Sequence, residues 1–82
     1  MDEVSKVASY TEPMEYVSRI LRNVGDSCVV NLSVRLTYKQ NFEYFSGLVW
    51  ERLKWKLNCN QVIRNRDNGY RFIYLCTATR GY

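Results

Sequence analysis

The chain has 82 residues, 46% of them apolar and 15% aromatic, with a formal net charge of +4. That length makes one domain with a thin core, its apolar share is too high for a disordered chain, and no run approaches the roughly 18–20 apolar residues of a membrane-spanning helix. There is no histidine, which removes the commonest metal ligand and the commonest general base.

In chain order, Val4–Ser9 reads as a weak strand. Thr11-Glu12-Pro13 then starts a helix, with Thr11 or Glu12 as cap and Pro13 in the first turn, where its missing N–H has no helical partner to lose. Met14, Val17, Leu21 and Val24 recur at helical spacing beside Ile20, and Gly25 is expected to stop the helix in a left-handed conformation. From Cys28 to Tyr38 the period changes to two. Val30, Leu32, Val34, Leu36 and Tyr38 face one way, and Asn31, Ser33, Arg35 and Thr37 face the other, as in a half-buried strand.

After a turn at Lys39-Gln40-Asn41, the spacing of Phe42, Phe45, Val49, Leu53 and Leu57 predicts a second helix over 42–57, widened by Leu48. Trp50 and Trp55 do not both fit its buried stripe, so one is expected at the surface or an interface. Asn60–Asn65 and Tyr70–Thr79 then flank Asp67-Asn68-Gly69. An Asn-Gly pair between strand-like runs is a strong hairpin signal, because both central residues of a type I′ turn need positive φ. The last strand is apolar on both faces after Arg71, which suits a central position. The predicted order is (β)-α-β-α-β-β, an α/β (α+β) two-layer sandwich in a single domain spanning 1–82.

Cys28, Cys59 and Cys76 are odd in number and lack CxxC spacing, which argues against a disulfide framework and a zinc site. Buried, reduced core thiols are expected instead. With Met1–Tyr10 acidic and polar rather than signal-like, the expected location is cytoplasmic.

Charge is unevenly distributed. Residues 1–51 hold five basic and seven acidic side chains, a net of −2; residues 52–82 hold seven basic ones and only Asp67, a net of +6. Such a basic half suits a polyanion. Two places stand out. One is the hairpin, with Arg64, Arg66 and Arg71 about its tip. The other is the strand–helix turn, with Arg35, Lys39, Gln40 and Asn41 near a helix start. The chain carries no nucleophile motif, paired carboxylates, HExxH, P-loop or GxGxxG. Binding rather than catalysis is therefore expected, with no cofactor, metal, small-molecule substrate or membrane.

Several stretches resemble the Alba family of archaeal chromatin and RNA-binding proteins, which has relatives among RNase P/MRP subunits. Pro13-Met14-Glu15-Tyr16-Val17 is similar to the start of that family's first helix. Val24 through Val30 is similar to its helix–Gly–strand passage, Arg35 through Trp50 to its basic turn and long helix, and Arg71 through Leu75 with Arg80-Gly81-Tyr82 to its closing strand and tail. The resemblance implies a βαβαββ homodimer binding DNA or RNA, nucleoid-associated in an archaeon. It places Arg64, Arg66 and Arg71 on an arm, Arg35 and Lys39 at a body contact, and Phe42 and Phe45 near subunit contacts, where Trp50 is added. Lys6 is the one lysine near the first helix. The family's lysines before the proline are replaced by Thr11 and Glu12, and Leu36 stands where its turn has glycine. The C-terminal domain of bacterial translation initiation factor three shares the element order and is the second resemblance. The alternative function is a protein-interaction or assembly module, such as a ribonucleoprotein subunit or viral accessory protein.

Overall fold

Helix α1 (Thr11–Arg22) forms because Pro13, Val17 and Leu21 recur on one face, and that face is buried. The computed structural model describes residues 8–65 and 71–81, with only the backbone of Arg64 and Asn65. The N-cap of α1 is Tyr10 rather than Thr11 or Glu12, and it makes no side-chain capping bond. Tyr10 acts instead as a staple. It is buried, its ring packs 5.0 Å from that of Tyr44, and its hydroxyl accepts the Asn41 N–H at 2.6 Å. Ala8 and Ser9 lead into α1 in helical and turn conformation, and the rest of the strand expected over 4–9 falls outside the described residues. Gly25 has φ +64 as expected, but α1 stops earlier, at Arg22, so the glycine shapes the following loop.

Strand β1 (Val29–Thr37) follows the predicted alternation, with Leu32, Val34 and Leu36 buried. Tyr38 lies beyond it and is exposed. Helix α2 (Phe42–Leu53) is capped by Asn41, whose side chain accepts the Tyr44 N–H at 2.9 Å. It ends four residues before the expected boundary. Lys54 takes the left-handed conformation at φ 62, and β2 (Trp55–Asn65) begins at once. Trp55 and Leu57 therefore belong to a strand that starts five residues earlier than expected. Helical spacing and strand alternation both place Leu57 inward, which is why the stripe ran on. Strand β3 (Arg71–Arg80) completes the sheet.

The strand order is β1-β3-β2, with both pairings antiparallel. The strand that is apolar on both faces is thus central. β1 and β2 run parallel with β3 between them, so α2 links them in a split crossover. β2 and β3 pair from Trp55–Arg80 to Asn65–Arg71 with an irregularity between Gln61 and Ile63, and the Asn-Gly turn lies outside the described residues.

The helices cover one face of the sheet. Its rows are Val30–Ala78–Leu57, Leu32–Cys76–Cys59 and Val34–Tyr74–Gln61. Phe45, Leu36, Val17, Val34 and Val49 are its largest fully buried side chains, each contributing about 1.5–3 kcal/mol relative to exposure. The thiols differ from expectation. Cys59 and Cys76 face each other across the two strands and are joined in a disulfide, while Cys28 is free and exposed. Strand pairing, not sequence spacing, brings those sulfurs together. No helix among the described residues is long and apolar enough to cross a membrane.

Candidate functional site

None of the described residues covers the other face of the sheet. Its rows, read across β1, β3 and β2, are Val29–Thr79–Lys56, Asn31–Thr77–Asn58, Ser33–Leu75–Asn60 and Arg35–Ile73–Ile63, with Thr37–Arg71 beyond them on β1 and β3. The pleat puts every second residue here, and the inner rows are claimed by the helices. Three characters result. Amides and hydroxyls dominate the second row, where the Thr77 hydroxyl lies 3.2 Å from the Asn31 side-chain oxygen. A strip of Leu75, Ile73 and Ile63 crosses the middle, with Leu75 55% and Ile63 53% exposed. Arg35 and Arg71 stand at one end and Lys56 at the other.

Charge divides by layer. The three strands carry Arg35, Lys56, Arg64, Arg71 and Arg80 and no acidic residue. The described acids, Glu12, Glu15, Asp26, Glu43 and Glu51, all lie on the helices or the α1–β1 loop. Arg80 is engaged within the fold. It lies 4.6 Å over the Trp55 ring and donates to the carbonyls of Gly25 and Ser27 at 2.9 and 3.0 Å.

The two basic places expected separately converge. Thr37 pairs with Arg71, and Arg71 with Asn65, so the β1–α2 turn, the last residue of β2 and the first of β3 share one end of the sheet. Arg35 is opposite Ile73, one diagonal step from Arg71 on the same face, and such neighbours lie about 7–8 Å apart. Both arginines line a cavity of about 440 Å³ with Ser33, Thr37, Gln40 and Glu12, the last its one acidic wall. Lys39 is at the same end, 5.7 Å over the Tyr38 ring. Gln40 is spent on structure: its side-chain oxygen accepts the Thr37 N–H at 2.8 Å and its amide donates to the Ser9 carbonyl. Arg64 is opposite Phe72 in β2. Lys6 and Arg66 lie outside the described residues.

Of the residues placed at subunit contacts, Phe45 is wholly inside the core, and Phe42 is partly buried and stacks on Tyr74 at 4.6 Å. Trp50 alone of the three is widely exposed, beside Lys54 at 5.6 Å. Burial pushes the Tyr74 phenol above its ordinary pKa.

Three features escaped the sequence. Lys56 was hidden because its segment read as helix. The aliphatic strip needed the strand register. A groove between the helices, about 540 Å³ and lined by Arg19, Arg22 and Arg52 with Ser18 and Glu15, needed the helix packing. Fold and site together define a small α+β sandwich with one open, acid-free sheet face. No protein-family model, curated protein or solved structure matches the chain.

Proposed function

We propose that the protein binds nucleic acid, duplex DNA or structured RNA, on the open face of the sheet and its Arg35–Arg71 end, chiefly through phosphates. The carrying observation is a strand layer with five cations and no acid, three of them, Arg35, Lys56 and Arg71, on the uncovered face. Guanidinium groups donate to phosphate oxygens in pairs, and the asparagine and threonine rows can bond sugars and phosphates between them. The outward rows hold no aromatic ring among the described residues, so base stacking is not the mode this face supports. The resemblance to Alba proteins points to the same class of partner. Binding, not catalysis, is the activity.

The aliphatic strip favours a second reading, a protein-interaction or assembly module that uses the same face. The two are separated by anisotropy titration at low salt with a labelled DNA duplex and a labelled RNA hairpin. The first reading expects binding that weakens at least tenfold in Arg35→Ala/Arg71→Ala and is retained in Arg19→Ala/Arg52→Ala. Absence of binding, or equal loss in both variants, overturns it. Recovery of one protein partner from nuclease-treated extract then supports the second.

A further inference from the structure

In an antiparallel ladder, alternate residues turn both backbone groups toward the neighbouring strand, and the residues between them turn both away. The Arg80 N–H donates to the Cys28 carbonyl at 2.9 Å. With Val29 opposite Thr79, this sets the phase. Val30, Leu32, Val34 and Leu36 bond β3, while Val29, Asn31, Ser33, Arg35 and Thr37 direct N–H and C=O off the sheet's edge. Thr37 confirms the phase: its outward N–H and C=O are both taken by Gln40, at 2.8 and 3.0 Å. The outward groups of Val29, Asn31, Ser33 and Arg35 have no partner among the described residues.

The two edges of the sheet differ. β2 carries a register irregularity at Gln61–Ile63, a device that spoils an edge for further pairing. β1 runs from Val29 to Thr37 without one and without proline. Regular edges of this kind are ordinarily blunted or used.

We propose that β1 pairs antiparallel with β1 of a second copy of this chain, on a two-fold axis at Leu32. That register sets Val29 opposite Arg35 of the second copy and Asn31 opposite its Ser33, and it uses all four unclaimed residues. Moving the axis to Ser33 calls on Thr37, which Gln40 occupies. Moving it to Asn31 calls on Ser27, outside the strand. On the inner face Leu32 meets its own copy and Val30 meets Val34, so the apolar layer continues across the axis. On the outer face no cation opposes a cation, whereas stacking two open faces would press six outward cations together. The 440 Å³ groove along Ser33–Thr37 is walled by Glu12, Pro13 and Tyr16 of α1, and Tyr16 is 42% exposed there. A strand added at this edge covers that ring. The product is a continuous six-stranded sheet with one open face.

The pairing is tested without nucleic acid, so it stands or falls apart from the binding reading. The full chain is used with Cys28→Ser, which removes any intermolecular disulfide through that exposed thiol. Sedimentation at about 100 μM should show a dimer that dissociates on dilution. Ser33→Pro removes an N–H that the β1–β3 ladder does not use, and it should give a folded monomer. Hydrogen exchange on the Ser33-containing protein covers the case of misfolding in that variant: the amides of Val29, Asn31, Ser33 and Arg35 should be protected in the dimer and lose protection on dilution. A monomer at that concentration, a dimer that survives in folded Ser33→Pro, or a dimer whose four amides exchange freely overturns the proposal.

Discussion

Replacing Arg35 and Arg71 with alanine tests whether the open face meets phosphates. Both side chains are exposed and make no hydrogen bond or ion pair among the described residues. Their loss should therefore move the melting temperature by no more than roughly 4–8 °C, since surface changes of this kind fall within about 0.5 kcal/mol each and 1 kcal/mol shifts a domain of this size by about that much. Each phosphate contact contributes about −0.9 to the slope of log affinity against log salt on duplex DNA and about −0.7 on a single strand. Arg35, Lys56 and Arg71 together then give a duplex slope near −2.7, with Lys39 and the hairpin arginines steepening it. The double variant should lose about 1.8 of that slope, so the affinity gap to the unaltered protein narrows about tenfold between roughly 50 and 200 mM salt. Anisotropy titrations at four salt concentrations measure both lines. Parallel lines would rule out phosphate contacts by these two side chains, because they mean the arginines act without releasing counterions. Coincident lines would move the site off this face altogether.

Other outcomes follow from the packing. Gly81→Ala should destabilise the fold by about 1–3 kcal/mol, because an added Cβ would lie 2.2 Å from the Trp50 ring and 2.9 Å from the Lys54 carbonyl; thermal unfolding reads the loss. Reduction of Cys59–Cys76, a link across 17 residues, should cost about 3 kcal/mol on loop-entropy grounds. The drop in melting temperature on adding dithiothreitol should vanish in Cys59→Ser/Cys76→Ser. Because the chain has no histidine, affinity for nucleic acid should change less than threefold between about pH 6 and 8. At the alkaline end, burial raises the folded-state pKa of the Tyr74 phenol. Its contribution to stability is whole below about pH 10 and is lost as pH climbs through the raised value. Tyr74→Phe should flatten that limb of a stability–pH curve.

Much of this fold was legible in one sequence, for identifiable reasons. The alternation of Leu32, Val34 and Leu36 against Asn31, Ser33 and Arg35 placed β1 and its outward side chains directly. The doubly apolar run after Arg71 pointed to the central strand. The α2–β2 boundary was hidden because Lys54 turns the chain in a left-handed conformation that glycine or asparagine usually supplies, and because Leu57 suits both periods. The disulfide was hidden because two cysteines 17 residues apart become neighbours only through strand register. The same register brings Arg35 and the β1–α2 turn to the end of the sheet where Arg71 begins β3, positions that the chain keeps far apart. Glu12, the acid beside the first helix's proline, reaches this end too, on the wall of the Arg35–Arg71 cavity.

Backbone amide shifts during titration with a DNA duplex or an RNA hairpin show directly whether nucleic acid binds on the outward sheet face. The largest changes should fall at Ser33, Arg35, Arg71, Ile73 and Leu75, with smaller ones at Asn58 and Thr77 and little at Glu15, Arg19 or Arg52. Changes concentrated on the helix–helix groove at Arg19, Arg22 and Arg52, with the outward rows of the sheet unmoved, would contradict it.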